Sequence, residues 1–313
     1  MRREMPEEGD TISLITRRRL LKSVGTAFLT YTIAKAGLGY EEETRVFEER
    51  RLAMGSTFRI TAIGESKRRL KSAMNAAFLE IKRLEALMTI FDNYSEISRL
   101  NTNGAASLSP ECIEVLEKAL YFSRLTEGAF DVTLGNYPYL SVTGTGAMLK
   151  KPGVKVDLGG IGIGYAVDCG IDVLRSRGVK AALVDGGGEM KTLGCKESGL
   201  SWKVGVRDPF RKEGFTGVIR LDDMSVSTSG NYEKLHVIDP KTGAYPEGLK
   251  SATVIAMDAT TADALSTGVF ILGKVNGLRL LESLHGVEGL LITSNGEILR
   301  SKGFKRYALE GFK

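Results

Sequence analysis

Thirteen residues constrain this chain more than any others: Val156-Asp157-Leu158-Gly159-Gly160-Ile161-Gly162-Ile163-Gly164-Tyr165-Ala166-Val167-Asp168. The spacing predicts the end of a strand over 155–158, a turn holding four glycines in six positions, and a helix from Tyr165 to Arg177. Such a turn presents backbone N–H groups at a helix N-terminus, where phosphate binds. Its glycines allow left-handed backbone or the close approach of a ligand. Asp157 does not suit a pure phosphate cradle, because it sets a negative charge beside an anion. A bound cation resolves that conflict. On this stretch alone, a magnesium-assisted pyrophosphate site and a ligand-free tight turn both remain open. A dinucleotide fingerprint does not fit: Gly160 and Gly162 supply its first two glycines, but Tyr165 occupies the third position.

Around this turn the chain alternates strands and helices. Two strands are expected within Val46–Gly64, since Phe58, Ile60 and Ala62 alternate with polar neighbours. Ser66 suits the cap of a helix from Lys67 to Ile90, whose stripe of Leu70, Met74, Ala77, Ile81, Leu84 and Met88 is core. A turn with a short helix follows over 91–101, then a helix opened by Ser109-Pro110. Residues 135–153, rich in glycine and proline, read as an irregular connector. Ala181–Asp185 reads as a buried strand ending in Gly186-Gly187-Gly188-Glu189, a second glycine-rich loop. Paired in parallel with the strand before the first turn, it would open both loops at one sheet edge, where ligands bind in open α/β sheets. Further strands are expected over 202–206, 217–222, up to 232, 235–239 and 251–257. Helices follow over 260–272 and 278–284, and a hairpin turns at Asn295-Gly296. The body is therefore a mixed α/β domain from about 45 to 309.

The 313 residues carry a formal charge of +5, of which residues 1–39 hold seven basic and four acidic side chains. The remaining +2 is spread out, unlike the concentrated stripe that nucleic acid requires, so no nucleic-acid partner is expected. Thr16-Arg17-Arg18-Arg19-Leu20-Leu21-Lys22 resembles a twin-arginine signal, and the twelve uncharged residues Ser23–Ala34 are too few to span a bilayer. The expectation is export by the twin-arginine route, to the periplasm or cell surface, with an uncleaved membrane leader as the alternative. Cys112, Cys169 and Cys195 form neither a disulfide framework nor a zinc site. They are expected to be buried or inert.

Met54-Gly55-Ser56, Phe91–Asn101, Gly128–Thr133, Asp157–Asp168, Asp185–Glu189 and the blocks Ser227–Gly243 and Ala252–Gly273, in this order, resemble the ApbE family of FAD:protein FMN transferases. The resemblance implies a T-fold-like mixture of sheets and packed helices, with an FAD cleft at the glycine-rich strand-to-helix turns. It also implies a magnesium ion and transfer of the FMN moiety of FAD to a Ser or Thr hydroxyl, with release of AMP. By similarity, Asp263, Thr267 and the Gly160 carbonyl would hold the metal. Met54, Phe91, Ala129, Phe130, Asp131, Asp157, Ile163 and Val237 would meet FAD. His236 aligns with the histidine of the family's His-x-Ile-Asp-Pro motif, as a candidate base. Ile163 stands where a long polar residue is common, Asn231 replaces a common Asp, and the hairpin before His236 is short. The implied partner is an acceptor protein with an Asp-x-x-Ser/Thr-Gly-Ala-Ser/Thr motif, such as a membrane-associated redox subunit, which would bring the enzyme to a membrane surface.

The residues themselves leave alternatives. Asp263 and Thr267, at i and i+4, share one helix face. That face suits the sparse ligand set of magnesium or a plain solvated surface. His236 suits a base or a core histidine. The same site could instead hydrolyse FAD to FMN and AMP, or merely bind it. For the leader, replacing Arg17 and Arg18 together by Lys keeps the charge but removes what a guanidinium-reading receptor recognises. The double variant should stay in the cytoplasm in a cell-fractionation assay, and unchanged export would exclude this route.

Overall fold

The computed structural model describes residues 45–196, 199–232 and 235–312; the expected leader lies outside them. Strands β1 (Arg45–Ala53) and β2 (Ser56–Gly64) open the body. Ser66 then caps α1 (Lys67–Met88), accepting the Arg69 N–H, and the whole predicted stripe of this helix is buried. The short helix α2 (Glu96–Asn103) ends on Gly104 at φ 73°, a left-handed position that glycine takes without strain. After β3 (Ala105–Ser107), Ser109 and Pro110 start α3 (Pro110–Leu125) as expected. The connector is more ordered than its composition suggests. It contains β4 (Leu140–Thr143) and β5 (Gly146–Leu149), which join β3 in a three-stranded sheet of order β3-β5-β4. Gly146 permits this pairing, because a Cβ there would lie 2.2 Å from the Ala106 carbonyl oxygen.

The chain continues through α4 (Gly162–Ser176), β6 (Ala181–Asp185), β7 (Met190–Leu193), β8 (Trp202–Arg207), β9 (Phe215–Leu221), β10 (Ser225–Ser229), β11 (Leu249–Ala256) and α5 (Ala259–Ser283). Gly273, at φ 74° and ψ −175°, breaks α5 between the two helices expected from sequence. The hairpin of β12 (Glu288–Thr293) and β13 (Ile298–Arg300), then β14 (Ala308–Gly311), complete the described chain.

Eight strands form one sheet of order β1-β2-β6-β7-β10-β11-β12-β13, and β14-β9-β8 form another. Every described pair is antiparallel. The expected parallel crossover is therefore absent from the described residues. Residues 155–158 belong to no strand. Their polar groups are met elsewhere: the Asn101 side chain bonds both the N–H and C=O of Val156, and the Asp157 N–H bonds the Val132 carbonyl. Residues 235–239 likewise lie outside the sheets, although the turn at 239–243 forms, with the Gly243 N–H on the Asp239 carbonyl.

The large sheet is covered on both faces. Ala182 and Val184 of β6 join the helices in the main core, whereas Ala181 and Leu183 face a second core with Trp202, Val204, Val206, Ile219 and Phe304. That is why β6 reads as a continuous apolar run rather than an alternation.

Two glycines fix how α4 packs. A Cβ at Gly164 would sit 2.4 Å from the Ala259 carbonyl oxygen and 2.7 Å from the Asp263 Cβ, so α4 and α5 touch almost backbone to backbone. A Cβ at Gly186 would lie 2.6 Å from Ile163 Cγ2, which brings the second glycine loop onto the same helix. Asp168 adds a polar clamp. Its carboxylate accepts the Ala259 and Thr260 N–H groups, each at 2.9 Å, and pairs with Lys191 at 2.7 Å. Replacing Gly164 by Ala should push the helices apart at a cost of about 3 kcal/mol, the upper range for overpacking. In a domain of this size that lowers the melting temperature by roughly 6–12 °C. An unchanged thermal midpoint would show that the contact is not tight.

Candidate active site

A cleft of about 1010 Å³ opens where the glycine turn, the second glycine loop, the N-terminal half of α5, the second half of β8 and the segment after β10 converge. Of the residues singled out in the sequence, Ala129, Phe130, Asp131, Asp157, Gly160, Ile163, His236, Val237, Asp263 and Thr267 line it. Met54 and Phe91 do not. Met54, at φ 51°, gives its N–H to Glu85 and lies against Gly162, while Phe91 is 93% exposed.

Each side of the cleft is fixed by local chemistry. The ring of buried Phe130 packs on Gly160, where a Cβ would meet it at 3.3 Å. The Asp131 carboxylate is already engaged, accepting the Thr133 and Gly135 N–H groups at 2.8 Å and the Tyr137 N–H at 3.1 Å, so it shapes the loop over 131–137. Exposed Asp157 folds back onto the Gly159 N–H at 2.9 Å. Asn231 accounts for the segment carrying His236. Its amide oxygen accepts the His236 and Val237 N–H groups at 3.0 and 2.9 Å, and its amide nitrogen donates to the Val237 carbonyl at 2.9 Å. An aspartate lacks that donor, which gives the substitution noted in the sequence a structural role. His236 itself is exposed in the cleft, so the core-histidine alternative fails.

Asp263 and Thr267 are not on a solvated face. Asp263 is 5% exposed; its Oδ2 accepts the Gly164 N–H at 2.9 Å, and its Oδ1 has no hydrogen-bond partner among the described residues. Thr267 Oγ1 lies 3.1 Å from Ser229 Oγ and beside Gly160, 3.7 Å from where a Cβ would stand. Burial pushes the Asp263 carboxyl well above the ordinary carboxylate range, and the nearby Glu189 charge pushes it further, against the opposing Gly164 N–H. Glu189 is also raised, by burial first and then by Asp185, with Ser227 and His236 working against the shift. Two carboxyls with raised pKa values, one of them carrying an oxygen without a partner, beside the Thr267 hydroxyl form a donor set that a hard divalent cation fits.

Sequence reasoning noticed the loop that carries Glu189 but gave that residue no role. Asp185 was also passed over; it accepts the Gly187 and Gly188 N–H groups and pairs with Arg59 at 2.8 Å. An acid closing a glycine run was the available signal. The cysteines lie elsewhere. Burial pushes the Cys112 and Cys169 thiols up to about 12. Cys195, expected to be buried or inert, is exposed, with its thiol 3.4 Å from Asp222 and its pKa raised by that bond.

The ApbE family model matches residues 54–147 and 136–291, and the chain belongs to the ApbE family. The FAD:protein FMN transferase of Haemophilus influenzae is 28% identical, in an alignment covering 91% of this chain and 98% of that protein. The Treponema pallidum protein of the same name is 27% identical over 85% of this chain and 89% of its own. Among solved structures, the ApbE protein of Thermotoga maritima has a TM-score of 0.78 at 29% identity, covering 85% of this chain and all 100% of that one. The flavin transferase ApbE of Vibrio cholerae shares the fold, with a TM-score of 0.74 at 24% identity over 85% and 99% of the two chains.

The carboxylate pair has a measurable consequence. Its folded-state pKa values lie above those of the unfolded chain, so unfolding releases protons and stability falls as pH rises from the ordinary carboxylate range upward. Asp263→Asn keeps an acceptor for the Gly164 N–H and removes one member of the pair. In metal-free buffer, melting temperatures recorded from about pH 5 to about pH 9 should therefore decline less steeply for the variant than for the wild type. Parallel profiles would mean that the two carboxyl groups are not coupled.

Proposed function

We propose that this transferase moves the FMN moiety of FAD onto a Ser or Thr hydroxyl of another protein, with magnesium as cofactor and AMP as the leaving product. The observation that carries this reading is the meeting of Asp263, Thr267 and Gly160 at the floor of one cleft with His236 on its wall. A helix N-terminus alone stabilises an anion by about 0.3–1 kcal/mol, far less than phosphoryl transfer requires. In this reading Asp263 supplies the one charged ligand, Thr267 a neutral one and the Gly160 backbone a carbonyl. Magnesium held there supplies charge neutralisation at the phosphate oxygens.

The chain's own groups divide the remaining work. The glycines at 159 and 160 let a pyrophosphate approach the main chain without a Cβ in the way. The two-way bond of Asn231 to Val237 fixes the segment that aims His236 into the cleft. A ring nitrogen of His236 then takes the proton from the attacking hydroxyl. Glu189 interacts electrostatically with both His236 and Asp263: His236 holds its carboxyl down, and it raises that of Asp263. The acceptor is a protein segment with an Asp-x-x-Ser/Thr-Gly-Ala-Ser/Thr motif, and the leader places the reaction outside the cytoplasm.

Mass spectrometry of such an acceptor, incubated with FAD and magnesium, tests the reading directly. Added FMN mass is expected; free AMP without it would indicate a hydrolase, and neither product a binding protein. In the same assay Asp263→Ala should nearly abolish AMP release at any magnesium concentration, whereas the milder loss in Thr267→Ala should recover as magnesium is raised. His236→Asn should lower the rate by ~10²–10⁴ with FAD affinity retained. A magnesium titration of Asp263→Ala that overlays the wild type would refute the metal site.

A further inference from the structure

We propose that the outer face of α1, together with the end of α4, is a docking surface for an anionic membrane. Lys67, Lys71, Asn75 and Leu79 follow one another at steps of four along α1, on its exposed side. With Arg68, and with Arg177 at the end of α4, they line one shallow bowl that contains no carboxylate. The side chains of Lys67, Arg68, Lys71 and Arg177 make no ion pair or hydrogen bond among the described residues. Some cations elsewhere on the surface are neutralised: Arg50 by Glu48, Lys82 by Glu85, Arg83 by Glu80 and Glu111, Arg175 by Asp172. What marks this patch is adjacency: four cations share one bowl with no carboxylate among its lining residues.

The shape of the patch selects its occupant. From Lys67 to Leu79 the stripe runs about 18 Å at the helical rise, too long for one phosphate and suited to a row of headgroups. Leu79, 68% exposed, adds an apolar side chain to the basic surface, the pairing found on elements that lie in a membrane interface. The path of the chain points the same way. Arg45, where the described body begins, is paired with Gly64, three residues before Lys67. The chain that carries the twelve-residue uncharged run of the leader therefore joins the body beside the patch. Anionic lipid attracts each basic residue near its surface, and the attraction is screened by salt.

Co-sedimentation of the full chain with vesicles of phosphatidylcholine alone, or mixed with phosphatidylglycerol, tests this. The wild type should bind the mixed vesicles at low salt, and Lys67→Glu, Arg68→Glu, Lys71→Glu and Arg177→Glu combined should lower the bound fraction roughly tenfold or more. The fourfold alanine variant, which leaves the surface neutral, should fall between them, with an unchanged melting temperature and unchanged FMN transfer. Inorganic phosphate at millimolar levels should not compete. Equal binding by wild type and charge-reversed variant, equal binding to neutral vesicles, competition by phosphate, or retention on an oligonucleotide without vesicle binding would each overturn the proposal.

Discussion

The structure depends on one close contact, between the first turn of α4 and the first turn of α5 at Gly164. No side chain separates the helices there, and the Gly164 N–H reaches the Asp263 carboxylate directly. Because Gly164 ends the glycine turn and Asp263 lies one turn into α5, this contact brings the turn and the candidate metal ligands together. Asp168, one helical turn further along α4, secures the same junction by accepting the leading N–H groups of α5. Site geometry and helix packing are thus a single constraint.

That economy has an electrostatic cost. Asp263 is held in a nearly water-free position with Glu189 close by, and among the described residues no cation pairs with it. Compare Asp168 in the same region, whose charge is met by Lys191 and three donors. One carboxylate serves architecture and is neutralised by the chain. The other is left to whatever enters the cleft. A buried acid without a cation is a liability for folding alone, which is the physical reason to associate it with a ligand.

Local chemistry was readable in advance where it is short-range. The Ser66 and Ser109 caps, the α1 stripe, the turn at 239–243, the break near Gly273 and the final hairpin all follow from neighbours within a few residues. What could not be read was pairing. Lys155–Leu158 has strand-like residues, yet its hydrogen bonds come from Asn101, more than fifty positions away, which no periodicity reveals. The parallel crossover failed for the same reason: β6 lies between β2 and β7, both antiparallel to it. The site was more legible than the topology, because the two glycine loops do converge, though by a different route. Glu189 was missed because its significance lies in its nearness to Asp263, which spacing along the chain does not encode.

The place of β6 in the large sheet also sets an order of events. Strand β2 pairs with β6 through contacts such as Arg59 with Asp185, so its inner edge has no partner until more than 120 further residues exist. During that interval the hairpin of β1 and β2 offers an open edge to any other chain, and it is a two-stranded element of marginal stability by itself. The charges of β1, Glu48, Glu49, Arg50 and Arg51, discourage such pairing at the hairpin's other edge. The cleft draws on residues on both sides of this late closure, from Ser56 to Ile271, so it is complete only after α5 has docked. Amino-terminal pieces of the chain would therefore lack a working site however well their helices form.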